Sequence, residues 1–311
     1  MATRIENIWE KGALIQVNFS VWTGRVKMPV QEINAEIDPE FFRASKFLVD
    51  REVLKPIEKV RNEARVYIYS KTVPFDIPGM AFIPKDLIAT VDERLKEYET
   101  ETNEAVNVFA QNYETFIRHS KERLGSHFDL SEYPQNIRKH FGMSWRFLVM
   151  DTPGSVGLLP PEVYEREKQK FVRAITEFQN NATATLRKTF AEMVDHIGER
   201  LSGEKKTFRD TLIGNIREFI TDFKALNITD DVELEALTNR CQVILGDIAP
   251  QDIRNDEGLR EHIARRIMEV QATLDTMMVD RPTRKLRRVE NAAQPEIYHR
   301  ALEQERSVRG K

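Results

Sequence analysis

VDERLKEYETETNEAVNVFAQNYETF, residues 91–116, places Val91, Leu95, Tyr98, Thr102, Ala105, Phe109, Asn112 and Phe116 in steps that alternate four and three. That spacing is a heptad seam, the pattern by which one helix lies along another at a shallow angle. Upstream, Pro84 suits a first helical position, and Asp86 puts a negative charge where the helix dipole favours it. Downstream, Gly125 stops the pattern after Leu124. One unbroken helix over this span would be roughly 55–60 Å long at 1.5 Å per residue. It is expected to project, or to pair as the arm of a hairpin.

The pattern recurs on both sides. Residues 50–69 place Val53, Ile57, Val60, Ala64 and Ile68 on one face, with Pro56 in the first or second turn. From Pro161, a second long stripe runs through Phe171, Ile175, Phe178, Ala182, Leu186, Phe190, Met193, Ile197 and Leu201 until Ser202-Gly203 breaks it. Phe208, Leu212, Ile216, Phe219 and Phe223 form the next face. Asp230 with Glu233 three residues on reads as a capping box for a helix ending at Gly246, and a last helix spans about 256–278 with Leu259, Ile263, Ile267, Val270 and Leu274 inward. Such stripes are read as core rather than as cofactor sites.

Two segments read as strands. In residues 13–22, Ala13, Ile15, Val17, Phe19 and Val21 alternate with Gln16, Asn18 and Ser20, and Thr23-Gly24 turns the chain. In residues 144–150, the run Phe147-Leu148-Val149-Met150 ends at the breaker Asp151-Thr152-Pro153-Gly154. Strand backbone groups need partners, so these two are predicted to pair in one small sheet. Residues 76–84, with Pro74, Pro78, Gly79 and Pro84 in or beside them, read as a loop. The expected fold is mainly α, with long helical hairpins or a bundle around that sheet. The expected division is 1–155, an α+β region with the heptad helix; 156–280, a helical bundle; and 281–311, a basic tail expected to be mobile.

A net charge of −3 conceals an asymmetry. Residues 281–311 hold nine basic and four acidic side chains, hence +5, which leaves −8 for residues 1–280. On average the body repels a nucleic-acid backbone, whereas Arg281, Arg284, Lys285, Arg287 and Arg288 would attract phosphates or an acidic protein. No aromatic stands between those charges for base stacking. No apolar run nears the roughly 18 residues a bilayer requires, and Met1 to Val17 does not have the make-up of a signal peptide. No membrane contact is expected, and a cytoplasmic location is. The lone Cys241 is read as a small buried side chain.

Chemistry is hard to find. The strand leading into Asp151-Thr152-Pro153-Gly154 has the outline of a GTPase switch, but no upstream GxxxxGK[ST] loop exists to cradle phosphates. His119, His127, His140, His196, His262 and His299 are scattered, without the i,i+4 pairing of a metal-binding helix face. There is no GxSxG. No catalytic, cofactor or metal residue is assigned, and enzyme activity is disfavoured.

The segment Val17-Asn18-Phe19-Ser20-Val21-Trp22-Thr23-Gly24-Arg25-Val26-Lys27 resembles the opening of the domain-of-unknown-function family 3150, found in phages and bacterial mobile elements. Members show a strand ending in a Ser-x-Trp-Thr-Gly-Arg-like signature, followed by a Lys-x-Leu helix and a long charged helix. Tyr133-Pro134 is similar to a Tyr-Pro of the family near its next strand. The resemblance covers about the first 155 residues well and the helical remainder loosely, and it carries no catalytic residues. It implies company: such proteins are often encoded beside a MoxR-type AAA+ ATPase and a von Willebrand-type partner.

The expectation is a helical adaptor whose contact surface comprises Trp22, Arg25 and Lys27 with Val91, Leu95, Tyr98, Phe109 and Phe116 of the seam. Trp and Arg are enriched in interfaces, and an exposed seam would seek a partner helix, from a second copy included. The alternative is a DNA-binding accessory protein acting through the basic tail.

Overall fold

A computed structural model describes residues 8–28, 43–149, 160–202, 210–246 and 248–277, all of which fall in one compact unit. The structure is mainly helical around a small antiparallel sheet. Its strands are β1 (Gly12–Ser20), β2 (Arg25–Met28), β3 (Ala44–Phe47), β4 (Val73–Pro74), β5 (Met80–Pro84) and β6 (Gly142–Leu148). Its helices are α1 (Lys55–Lys71), α2 (Lys85–Gln111), α3 (Tyr113–Leu124), α4 (Pro161–Ser202), α5 (Asp210–Leu226), α6 (Val232–Leu245), α7 (Pro250–Asn255) and α8 (Glu257–Met277).

The two strands read from the sequence do pair. Ile15 lies opposite Phe147, Val17 opposite Trp145 and Phe19 opposite Met143, in antiparallel register. The sheet has two further strands, in the order β4-β5-β1-β6, and β2 with β3 forms a separate ribbon. The segment expected to be a loop before Pro84 contains β5, a correction with a clear cause. Met80-Ala81-Phe82-Ile83 is a short apolar run rather than an alternation, because β5 sits between β1 and β4 and both its faces are covered. Gly79, at φ +80°, supplies the turn, and Pro74 falls on the edge strand, where no ladder donor is missed.

Ala13, Ile15, Ile83 and Met143 face α1 and α2, where Ala64, Ile68, Val91, Leu95 and Tyr98 close a core. Leu14, Val73 and Phe82 face the other way and join Ile8 in the large core of α4 to α8. Phe82 meets Phe178 of α4 at 5.4 Å between ring centres, and Phe75 meets it at 4.9 Å. Each such ring removed from water contributes about 1.5–3 kcal/mol. The first half of β1 is therefore buried on both faces, although the sequence predicted one polar face. Residues 151–159, including the GTPase-like turn, lie outside the described residues. On either side of them, the N-terminal sheet and the C-terminal helices share one core.

The heptad helix is interrupted. Asn112 (φ −98°, ψ 2°) separates α2 from α3, and its side-chain amide donates to the Val108 carbonyl at 2.8 Å. The interruption shifts the stripe by one residue, so Tyr113 is buried and Asn112 exposed. Other boundaries move less. Asp50 caps a 3-10 turn, Arg51–Leu54, before α1 begins, and Pro84 is the N-cap residue of α2 rather than its first helical residue. The cap of α6 is Asp231, whose carboxylate accepts from the Leu234 N–H at 3.2 Å. Asp230 instead takes a left-handed turn at φ +55°. The long helix from Pro161 is described as far as Ser202, and the expected break at Ser202-Gly203 lies at the edge of the described residues.

Candidate protein-interaction site

The β2–β3 ribbon positions the most distinctive exposed cluster. Arg25 lies directly opposite Phe47, and Lys27 opposite Ser45. Directly opposed residues and residues two apart share a face, so Arg25, Lys27, Ser45 and Phe47 project together. The other face is anchored. Val26 packs on a further core that holds Leu48, Val49, Ile57 and Phe109, and Lys46 donates to the His127 carbonyl at 2.5 Å while meeting Glu132 at 2.8 Å. Gly24 (φ +58°) lets the chain turn into β2, and its carbonyl accepts from the Leu48 N–H at 2.7 Å.

Phe47 is 42% exposed. The Arg25 guanidinium carbon lies 5.7 Å from its ring centre and that of Arg51 5.4 Å, both over the ring. A cation over an aromatic face is held by the ring quadrupole, worth about 0.5–1 kcal/mol when exposed. Arg25 Nε also donates to Ser45 Oγ at 2.5 Å, which fixes its orientation. Beside Phe47 a groove of about 240 Å³ is lined by Val49, Asp50, Arg51, Ser120, Arg123 and Leu124. Asp50 accepts from the Glu52 N–H at 3.1 Å and from Arg123 at 2.9 Å. The Glu52 N–H first, and Arg123 second, hold its carboxyl below the ordinary range. Arg51 has no carboxylate partner among the described residues.

The expected contact residues are separated. Arg25 and Lys27 are exposed on the ribbon. Trp22 is half-buried, with its ring 6.1 Å from Phe109 and 5.9 Å from Tyr113, so it anchors a core. Phe109 and Phe116 belong to that same core with Leu48, Val49 and Ile57. Val91, Leu95 and Tyr98 lie in a different one, beneath the sheet. The seam is therefore spent inside the molecule, which removes those residues as an exposed docking stripe. Arg281, Arg284, Lys285, Arg287 and Arg288 lie outside the described residues. Phe47, Arg51 and Arg123 were not singled out from sequence. The available signal was the ribbon itself, since Phe47 alternates with Lys46 and Ser45 directly before the buried pair Leu48-Val49.

Cys241 is fully buried, and burial pushes its thiol up to about 12. Asp195 is raised by burial first and then by the nearby carboxylates of Asp275, Glu199 and Glu192. Among the described residues no cluster of His, Cys, Asp and Glu could hold a metal ion, and no helix is long and apolar enough to cross a membrane.

The fold and this cluster define a mainly α protein whose small sheet is clasped between helices and whose exposed ribbon carries an arginine–aromatic patch. The chain belongs to the family described as "Protein of unknown function (DUF3150)", whose model matches residues 10–264. No curated protein and no solved structure matches it.

Proposed function

We propose that the protein is a non-enzymatic helical adaptor of phage or mobile-element type, working with a MoxR-like AAA+ ATPase and a von Willebrand-type partner. The family resemblance supplies the choice of partners. The observation that carries the reading is Phe47, an exposed aromatic flanked by the guanidiniums of Arg25 and Arg51 on a ribbon whose other face is fixed to the core. Aromatic and arginine side chains dominate the energetics of protein contacts. The contact surface is assigned to this patch rather than to the buried seam.

Affinity capture of the tagged full-length protein from its host, with and without ATP, tests the reading. Recovery of an AAA+ ATPase that survives removal of residues 281–311 and is lost in Arg25→Glu/Phe47→Ser supports it. Nuclease-sensitive recovery of DNA that disappears with those residues favours the nucleic-acid alternative and overturns it.

A further inference from the structure

The groove beside Phe47 has the chemistry of a selective peptide site. Phe47, Val49 and Leu124 make its apolar lining, and Arg51 and Arg123 line it as well. At about 240 Å³ it falls below the roughly 300–1,000 Å³ of an ordinary small-molecule pocket and suits a side chain of a bound segment. A guanidinium stacked on a ring keeps its in-plane N–H donors available, in a fork that matches a carboxylate. Arg51 has no carboxylate partner among the described residues, so an incoming acid would complete a pair rather than compete for one.

We propose that this groove binds an acidic peptide segment of a partner protein, with an aliphatic or aromatic side chain entering between Phe47, Val49 and Leu124. A carboxylate one or two positions away pairs with Arg51, and a second reaches Arg25. The proposal rests on the reading of this patch as a protein contact and adds the partner's chemistry. A nucleic-acid strand fits less well. Two guanidiniums already lie over the Phe47 ring where a base would stack.

Fluorescence anisotropy on the full-length protein, with three labelled peptides and a labelled twelve-residue oligothymidylate, tests this. The peptide EDELFDEE is expected to bind saturably. EDEGSDEE, without the apolar pair, and KKKLFKKK, without the acids, are expected to bind at least about tenfold more weakly, as is EDELFDEE to Arg51→Glu. Raising salt from roughly 50 to 300 mM should weaken the complex. Arg51 is exposed, so an unchanged melting temperature will show that the variant is folded; Phe47→Ser serves as a second variant that removes the apolar contact. Equal binding of EDEGSDEE, indifference to Arg51→Glu, no binding at all, or tighter binding of a twelve-residue oligothymidylate would each overturn the proposal. If the ATPase is still captured by Arg51→Glu, the groove assignment falls while the adaptor reading stands. If EDELFDEE binds at the groove but no ATPase is captured, the reverse holds.

Discussion

Lys71, the last residue of α1, donates its ammonium to Glu218 of α5 at 2.7 Å and also bonds Asp222 one turn further on. The lysine is almost wholly buried, and its ammonium lies over the Tyr67 ring, 5.6 Å from the ring centre. Burial alone would depress its pKa, but the hydrogen bonds it donates to Asp222 and Glu218 outweigh that and raise it. This link ties the N-terminal helix pair to the C-terminal helices.

Removing one partner of this link should cost more than removing both. Lys71→Ala leaves the largely buried Asp222 without its cation and is expected to destabilise the protein by about 2–3 kcal/mol, discounted because Glu218 is half exposed. Lys71→Met with Asp222→Leu should recover most of that loss, since an apolar pair of similar volume avoids the desolvation cost. A double-mutant cycle from urea unfolding measures the difference. Additive losses would contradict this account.

Acid should loosen the C-terminal helices through Asp231. Arg187 grips this carboxylate through Nε at 2.6 Å and Nη2 at 2.9 Å, while the carboxylate also caps α6. Burial pushes its pKa up, but Arg187 and the Leu234 N–H push it down further, and the net shift is downward. A depressed carboxylate contributes stability that is present above its unfolded pKa of about 3.9 and is lost as pH falls through the folded value. Unfolding midpoints measured from pH 6 down to about pH 2 should fall more steeply for the native chain than for Asp231→Asn. Near neutral pH that variant should be less stable by roughly 2 kcal/mol.

Gly12→Ala should be severely disruptive for its size. A Cβ on Gly12 would lie 2.2 Å from the Ile83 carbonyl oxygen and 2.6 Å from the Phe82 ring. The oxygen belongs to the backbone of β5, directly beside it, so relief requires moving the strand. Overpacking of this kind costs about 1–3 kcal/mol. A thermal melt that matches the native chain would show the sheet to be more pliant than this geometry allows.

Cys241 should be inert to a thiol reagent in the native state and react stoichiometrically on unfolding. It is fully buried with its thiol raised to about 12, so neither access nor thiolate is available near neutral pH. The rate of labelling with a chromogenic disulfide, with and without urea, measures this directly.

Period decided what could be read from the residues. Stripes such as Ile175-Phe178-Ala182-Leu186 repeat over many turns and sit where their period places them, and the alternation through Ile15, Val17 and Phe19 found its partner strand. Short elements carry too few residues for a period, so β5 reads as a loop and α7 leaves no stripe to read. Heptad spacing also says nothing of who provides the partner surface. For Val91 and Leu95 it is the molecule's own sheet and α1. The patch around Phe47 is only half visible in the sequence, where Arg25 stands out as an arginine at the strand exit, whereas register and α3 side chains assemble the rest.

The double burial of β1 fixes an order of events during synthesis. This strand emerges from the ribosome early, yet its partner β6 is completed only at residue 148 and Phe178, which covers its other side, comes later still. At about 5–20 residues per second that interval lasts on the order of ten seconds, during which the Leu14 face of the sheet lacks the C-terminal helices that cover it. A message truncated before residue 180 would release a chain with a sticky, unclosed sheet. Such fragments are expected to go to chaperones or proteases rather than to fold as a free N-terminal half.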